Sequence, residues 1–512
     1  MNRLTTSESS EPRRFPVEFL WGASTSAYQI EGAVNEDGRG QSIWDVFSHT
    51  PGKVHAGDSG DIACDSYHRM DEDLRLLEEL GIGAYRFSIA WPRVQPDGAG
   101  AVNQAGLDYY RRLVERLRSA GIVPAATVYH WELPQALEDR GGWANRQTAE
   151  RFAEYAGILA ESLGDHIGMW ITLNEPLQTA HQGYRVGTHA PGRTDPVRAA
   201  AATHHLLLGH GLAVQAIRGA LPTPAALGIA LDPNPIRPAG TGAEEAAAQL
   251  DADHNRMYLN PVLHGSYPVQ ARPELLPPDG LIRANDLDTI ATPLDFLGVN
   301  YYRTHYVRLG DWTDLRLGES PVPGYPGLVN YLPPESPRTI MDWIVEPDGL
   351  YDVLMRLRAE APGLPLYITE NGYAAEDYVN PEGLINDFER VDYIHGHLEA
   401  AWRALRDGVK LAGYFHWSLM DNFEWAWGYQ RRFGLYFVDF GTQRRLPKRS
   451  AAFYSRIMRT SELPAREEVL CPRDWAPRSS RVGGPLSLGA TDGHHAGIAA
   501  HAAKQRQLSR PA

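Results

Sequence analysis

Short apolar runs alternate with longer stretches whose apolar residues recur at helical spacing through most of the chain. The runs are Phe19–Thr25, Ala84–Trp91, Val123–Trp131, Met169–Glu175, Leu227–Leu231, Leu294–Tyr302, Leu366–Glu370 and Leu411–Leu419. Each is short and mainly apolar, as a strand covered on both faces is. In "DEDLRLLEELGIGAYRFSIAW", Leu74, Leu77 and Leu80 share one helical face and Gly81 is placed to cap it. "LDYYRRLVERLRSAGIVPAATVYHW" repeats the plan, with Leu113 and Leu117 on one face and Gly121 as the stop. Eight strands separated by helix-length segments predict an α/β protein with a parallel sheet and crossover helices. Eight is also the number that closes into a single (β/α)8 TIM barrel. A doubly wound open sheet is the alternative, but no GxGxxG follows a strand to support it.

The runs share an asymmetry. They begin apolar and end on His130-Trp131, Asn174-Glu175, Asn300-Tyr301-Tyr302, Glu370-Asn371 and His416-Trp417. The C-terminal ends of barrel strands build the active site, and a purely structural barrel gives no reason to gather such residues at one end. Two endings carry a carboxylate. Glu175 lies four residues after Ile171 and Glu370 two after Ile368, so isoleucines facing the interior would bring both carboxylates over the mouth. Asn174 would then face away, so a twist or break is expected at that strand end. Either glutamate alone reads equally well as a surface salt bridge or loop cap. Together, with asparagine before one and after the other and no metal motif nearby, they are the minimum equipment for cleaving a glycosidic bond. One must hold a proton for the leaving oxygen; the other must be ionised.

Composition narrows the classes. The chain has 512 residues, 43% hydrophobic and 22% charged, which suits a globular protein with a large core. Its 49 basic and 63 acidic residues leave a net charge of −14, without the basic footprint of a nucleic-acid binder. No run is long enough for a membrane span, and "MNRLTTSESSEPRRFP" has no apolar leader, so a cytoplasmic location is expected. Cys64 and Cys471 are too few for a disulfide framework and read as free thiols; Cys64 lacks the partners of a nucleophile and reads as packing. No cofactor and no metal site is expected, and the tail pair His494-His495 reads as solvated. Residues 1–14 are expected to be disordered, residues 15–470 to form the catalytic domain, and the Gly-, Ala-, Ser- and Arg-rich residues 471–512 to be a flexible tail. The oligomeric state is not legible.

The blocks "FLWGASTSAYQIEGA", "YRFSIAWPRVQP", "YHWELPQAL", "TLNEP", "LGVNYY", "ITENG" and "HWSLMDNFEWAWGYQRRFGLYFVDF" occur in order between Phe15 and Arg459. In this they resemble glycoside hydrolase family 1, the β-glucosidase family. The resemblance implies that Glu175 is the acid/base and Glu370 the nucleophile of a retaining mechanism, with carboxyl groups about 5–5.5 Å apart. It assigns Arg86 and Tyr302 to the nucleophile, Asn174 to the sugar 2-hydroxyl, and Asn300 to the neighbourhood of the acid/base. Gln29, His130, Trp417, Glu424 and Trp425 would hold the sugar, Trp131 would add a wall, Phe433 would close that end, and Trp343 would stack on the leaving-group side. A glutamate at 424 suits neutral hydroxyls and repels a 6-phosphate. Arg431-Arg432 read as solvated, and the Gly/Pro-rich residues 310–339 as a long loop that sets leaving-group preference.

The expected substrate is a small β-glucoside. The implied activity is hydrolysis of terminal non-reducing β-D-glucosyl residues from cellobiose, short cello-oligosaccharides and aryl or alkyl β-glucosides. Activity on β-galactosides and β-fucosides, and transglycosylation, are natural extensions. An inactive sugar-binding barrel is the alternative; it expects one glutamate to be replaced, and both are present. A thioglucosidase would carry glutamine at 175.

Overall fold

The computed structural model describes residues 12–470 apart from 222, 312, 317 and 318. The expected tail 471–512, with Cys471 and His494-His495, lies outside the described residues, as do residues 1–11 of the expected disordered segment. Arg13 and Arg14 depart from that expectation. They form a short strand antiparallel to Glu462–Leu463, tied down by Arg13–Glu399 and Arg14–Glu462 ion pairs of 3.2 and 3.3 Å.

Eight parallel strands close into one barrel: β1 (Leu20–Ser24), β2 (Ala84–Ser88), β3 (Val123–Tyr129), β4 (Met169–Asn174), β5 (Ala226–Leu231), β6 (Phe296–Asn300), β7 (Leu366–Asn371) and β8 (Leu411–Trp417). Each pairs with its neighbours in chain order, and β8 closes on β1. All eight apolar runs are therefore barrel strands. Several stop short of the predicted ends for visible reasons. Trp91 opens a helical turn with Pro92 at its second position, within the first turn where proline is tolerated. Trp131 and Glu175 adopt φ of +68° and +43°, outside strand geometry.

Crossover helices follow the sequence signals. Helix α1 (Met70–Leu80) buries Leu74, Leu77 and Leu80 and ends on Gly81 at φ +76°. Helix α2 (Gln104–Ser119) buries Leu113 and Leu117. Helices α3 (Arg146–Leu163), α4 (Pro196–Ala220), α5 (Pro347–Glu360) and α6 (Phe388–Arg406) lead into later strands. No described helix is long and apolar enough to cross a membrane.

The barrel interior is packed with Ala84, Ala125, Met169, Ile171, Ala230, Phe296 and Phe415. Phe415 lies over Gly22 so closely that a Cβ there would stand 2.2 Å from its Cδ1. Ile171 faces this interior, as expected. Ile368 does not: its neighbour Tyr367 packs against the interior, and a register shift after Ile368 turns Glu370 instead.

Residues 310–339 are not one loop. Ser320–Pro321 and Leu328–Asn330 join His305–Leu309 and Ile236–Pro238 in a four-stranded sheet. Its own small core of Val307, Val322, Tyr325, Ala247 and Leu250 explains the order that a Gly/Pro-rich composition concealed.

Candidate active site

A cavity of about 790 Å³ opens over the C-terminal ends of the strands. His130, Glu175, Asp232, Asn300, Glu370 and Trp417, from the ends of β3 to β8, all line it. The two glutamates singled out by sequence thus share one cavity, 6% and 3% exposed.

The end of β4 solves a geometric problem. A regular strand would send Asn174 and Glu175 to opposite faces. Here the β4–β5 register shifts between Ile171 and Asn174, and Glu175 takes a left-handed backbone. Both side chains then converge on Asn300, whose Nδ2 donates to Asn174 Oδ1 at 3.0 Å and Glu175 Oε1 at 2.6 Å.

Glu370 has different company. Arg86, fully buried above Ala84, donates through Nη1 to Glu370 Oε1 at 2.6 Å and through Nη2 to Asn174 Oδ1 at 2.6 Å. The Tyr302 hydroxyl donates to Glu370 Oε2 at 2.7 Å. Burial raises both carboxyls above the ordinary glutamate value. For Glu370, the Arg86 charge and the Tyr302 hydrogen bond oppose it. For Glu175, the charges of Asp232 and Glu370 add to it and hold the group well above. Of the two, Glu175 is held further above the ordinary value, so it keeps a proton to higher pH than Glu370. Asn371 is a brace: its Nδ2 donates to the Tyr301 carbonyl at 2.6 Å.

One end of the cavity is aromatic and tightly wired. Trp131 lies 4.8 Å from Trp425 between ring centroids, and His130 lies 5.6 Å from Trp417. The Trp131 indole donates to the Asn174 carbonyl at 3.0 Å. Asn174 Oδ1 already receives two donors, so its Nδ2 faces His130 Nε2, 3.1 Å away. His130 is neutral, its pKa held well down by burial, so Nε2 accepts and the proton sits on Nδ1, which has no partner among the described residues. Glu424 lines the same end, and burial and the Glu370 charge push its carboxyl up to about 8. Gln29 is fully buried behind this wall. Its Nε2 donates to Asn422 Oδ1, the Phe423 carbonyl and Glu424 Oε2 at 3.1, 2.9 and 3.4 Å. Gln29, Asn174 and Arg86 thus back the cavity surface, while the other candidates face it.

Trp343 lines the opposite end, 5.3 Å from Tyr302. Phe433 packs with Trp417 and Ala374 and lies 6.0 Å from both Tyr302 and Trp343, so it joins the two ends. Arg432 is not solvated: it donates to Asp421 Oδ2 at 2.7 Å, in a buried cluster with Lys448. Arg431 is half-buried, with its guanidinium 4.5 Å from the Trp427 ring centroid. The Cys64 thiol is buried, donates to the Asp421 carbonyl at 3.1 Å, and has its pKa pushed well up, as suits packing.

Sequence reading missed Asp232 and Arg303. Asp232 follows the last residue of β5, the strand-end signal that marked Glu175. Arg303 directly follows Tyr302. Among the described residues no cluster of three or more His, Cys, Asp or Glu could hold a metal ion.

The family model described as Glycosyl hydrolase family 1 matches residues 11–463. Beta-glucosidase A of Thermotoga maritima is 43% identical over 457 residues, covering 88% of this chain and 99% of that protein. A bifunctional beta-D-glucosidase/beta-D-fucosidase of Bifidobacterium breve is 45% identical over 456 residues, covering 87% and 98%. The solved family 1 β-glucosidase from Thermotoga maritima superposes with a TM-score of 0.82 at 43% identity, over 89% of this chain and all of that one. Fold, ordered sequence blocks and these matches together place the chain in glycosyl hydrolase family 1.

Proposed function

We propose that this chain is a retaining β-glucosidase that releases terminal β-D-glucosyl units from small β-glucosides, cellobiose among them. The observation that carries the reading is the unequal pair in one cavity: Glu370 bonded to Arg86 and Tyr302, Glu175 bonded only to a neutral amide. Ionised Glu370 attacks the anomeric carbon as Glu175 gives its proton to the leaving oxygen. The glycosidic bond breaks and a glycosyl ester forms on Glu370. Esterification removes the Glu370 charge that helped hold the proton on Glu175, so Glu175 now takes a proton from water, and that water opens the ester. Glucose leaves with its configuration retained.

The wired end holds the glucosyl ring. Glu424 accepts from hydroxyls, the His130 Nδ1 proton gains its missing partner, and the tryptophans pack against the ring. Asn174 takes the 2-hydroxyl by exchanging its His130 contact, while Gln29 orients Glu424. Trp343 stacks on the leaving group. The name of the Bifidobacterium breve relative supports β-fucosides as further substrates.

Hydrolysis of 4-nitrophenyl β-glucoside by wild type, Glu370→Gln and Glu175→Gln tests the reading. Glu370→Gln should lose on the order of 10⁴-fold or more. Glu175→Gln should form the ester from this activated substrate, stall, and be accelerated by azide. Substantial activity in Glu370→Gln, or an inverted product, overturns it.

A further inference from the structure

Glu370 has a second layer of support behind the cavity. Tyr302, whose hydroxyl holds Glu370 Oε2 at 2.7 Å, lies two residues past the end of β6, outside the strand ladder. Just before it, the Tyr301 N–H donates to the Glu370 carbonyl at 2.9 Å. The Tyr302 carbonyl accepts from the Tyr393 hydroxyl at 3.0 Å and from no other donor among the described residues. Tyr393 stands on α6 and is buried. Its hydroxyl oxygen in turn accepts from Asn371 Nδ2 at 3.0 Å. The Asn371 amide is itself pinned, Oδ1 by the Tyr414 hydroxyl at 2.8 Å and Nδ2 also by the Tyr301 carbonyl.

One hydroxyl therefore bridges two residues that flank the carboxylate: the one that follows Glu370 in the chain and the one that donates to it. The bonds run in one direction, from Asn371 N–H to Tyr393 O–H to the Tyr302 carbonyl, so each polarises the next. Burial holds the Tyr393 proton well beyond the ordinary tyrosine range, so the hydroxyl is a permanent donor. The His397 ring stacks on it, 3.8 Å between centroids, and fixes its plane. Tyr393 does not line the cavity. A core tyrosine needs one partner for its hydroxyl; this one has two, and both lead to Glu370.

We propose that Tyr393 is a positioning residue for the nucleophile, its hydroxyl setting where the Tyr302 hydroxyl meets Glu370. This rests on the glucosidase reading, and the test separates the two. Arg86, Tyr302 and Asn300 lower the Glu370 carboxyl against burial, and the Glu175, Asp232 and Glu424 carboxyls sense its charge. Of these groups, Tyr302 is the one bonded to Tyr393.

The measurement is the pH profile of kcat/KM on 4-nitrophenyl β-glucoside for wild type, Tyr393→Phe, Tyr302→Phe and the double variant. Tyr393→Phe keeps the ring and its stacking and removes one oxygen. It should lose roughly 3–30-fold, the scale of one buried hydrogen bond. The loosened Tyr302 bond lets the Glu370 carboxyl rise, so the acid limb should move to higher pH. Tyr302→Phe should move the same limb further. In the double variant Tyr393 has no hydroxyl left to aim, so activity and acid limb should match Tyr302→Phe alone. Losses that multiply in the double variant overturn the proposal. So does an acid limb that Tyr393→Phe leaves in place, which would make the residue structural only, and so does a Tyr393→Phe enzyme equal to wild type. A wild type inactive on the nitrophenyl substrate overturns the glucosidase reading instead.

Discussion

The two ends of the cavity are built differently. At the end lined by Glu424 and Trp425 the amide side chains are held by the protein: Gln29 by Asn422, Phe423 and Glu424, Asn174 by Arg86 and Asn300. At the other end, Asp232 has one side-chain donor and Arg303 only a ring contact. The first end stands on barrel strands and on the loop segments that follow β1 and β8, where Gln29 and Glu424–Trp425 lie. The second borrows its walls from the small sheet of Ile236–Pro238 and His305–Leu309. Rigid wiring suits a site that must hold one ring against two carboxylates, since misplacing reacting groups is costly in rate. Looser wiring suits a site that must accept and release different leaving groups. The difference predicts that damage at the first end is blind to the leaving group and damage at the second is not.

The largest effect should come from Arg86→Met. It strips Glu370 of its only side-chain cation among the described residues and Asn174 of a donor, leaving a buried carboxylate without its ion pair. Breaking such a pair costs about 3–5 kcal/mol, so kcat/KM should fall roughly 10³-fold for every glucoside, with a lower melting temperature. A drop confined to one leaving group would break the comparison. Next is Gln29→Leu, which unseats Glu424 and should cost roughly 10–100-fold. Measured on cellobiose and nitrophenyl glucoside, the two losses should match.

The smallest effects concern pH. The Asp232 charge helps hold the proton on Glu175. Asp232→Asn removes it, so the Glu175 pKa falls and the alkaline limb of the kcat/KM profile moves to lower pH; an alkaline shift contradicts the assignment. Glu424 reads out in stability. Its folded pKa of about 8 exceeds the unfolded value near 4.5, so the folded state holds an extra proton between them. Stability from this group is full below pH about 4.5 and is lost as pH rises toward about 8. Glu424→Gln should flatten that decline in a melting-temperature series.

The barrel was legible because buried parallel strands write themselves as apolar runs, and all eight did so. Their ends were legible as chemistry, since Glu175 and Glu370 stand where an apolar run has no use for a carboxylate. Facing was harder. Ile171 and Ile368 look alike in sequence, yet only the first points inward, because register shifts leave no composition signal. Asp232 went unseen because its strand ran out one residue earlier, at Leu231, in a turn-like "DPNP". The small sheet was hidden by prolines and glycines, and its order comes from contacts distant in sequence, such as Leu250 with Val307.

Arg86 stands between two structures that are usually described apart. Its neighbour two residues back, Ala84, belongs to the packed interior, while its guanidinium holds Glu370. A barrel closed in the wrong register would strand that cation among apolar side chains, with nothing to neutralise it. The residue that readies Glu370 is thus also an inspector of assembly. A chain that has closed its barrel incorrectly is penalised in stability and silent in catalysis through the same side chain, so turnover per molecule is a gauge of correct closure.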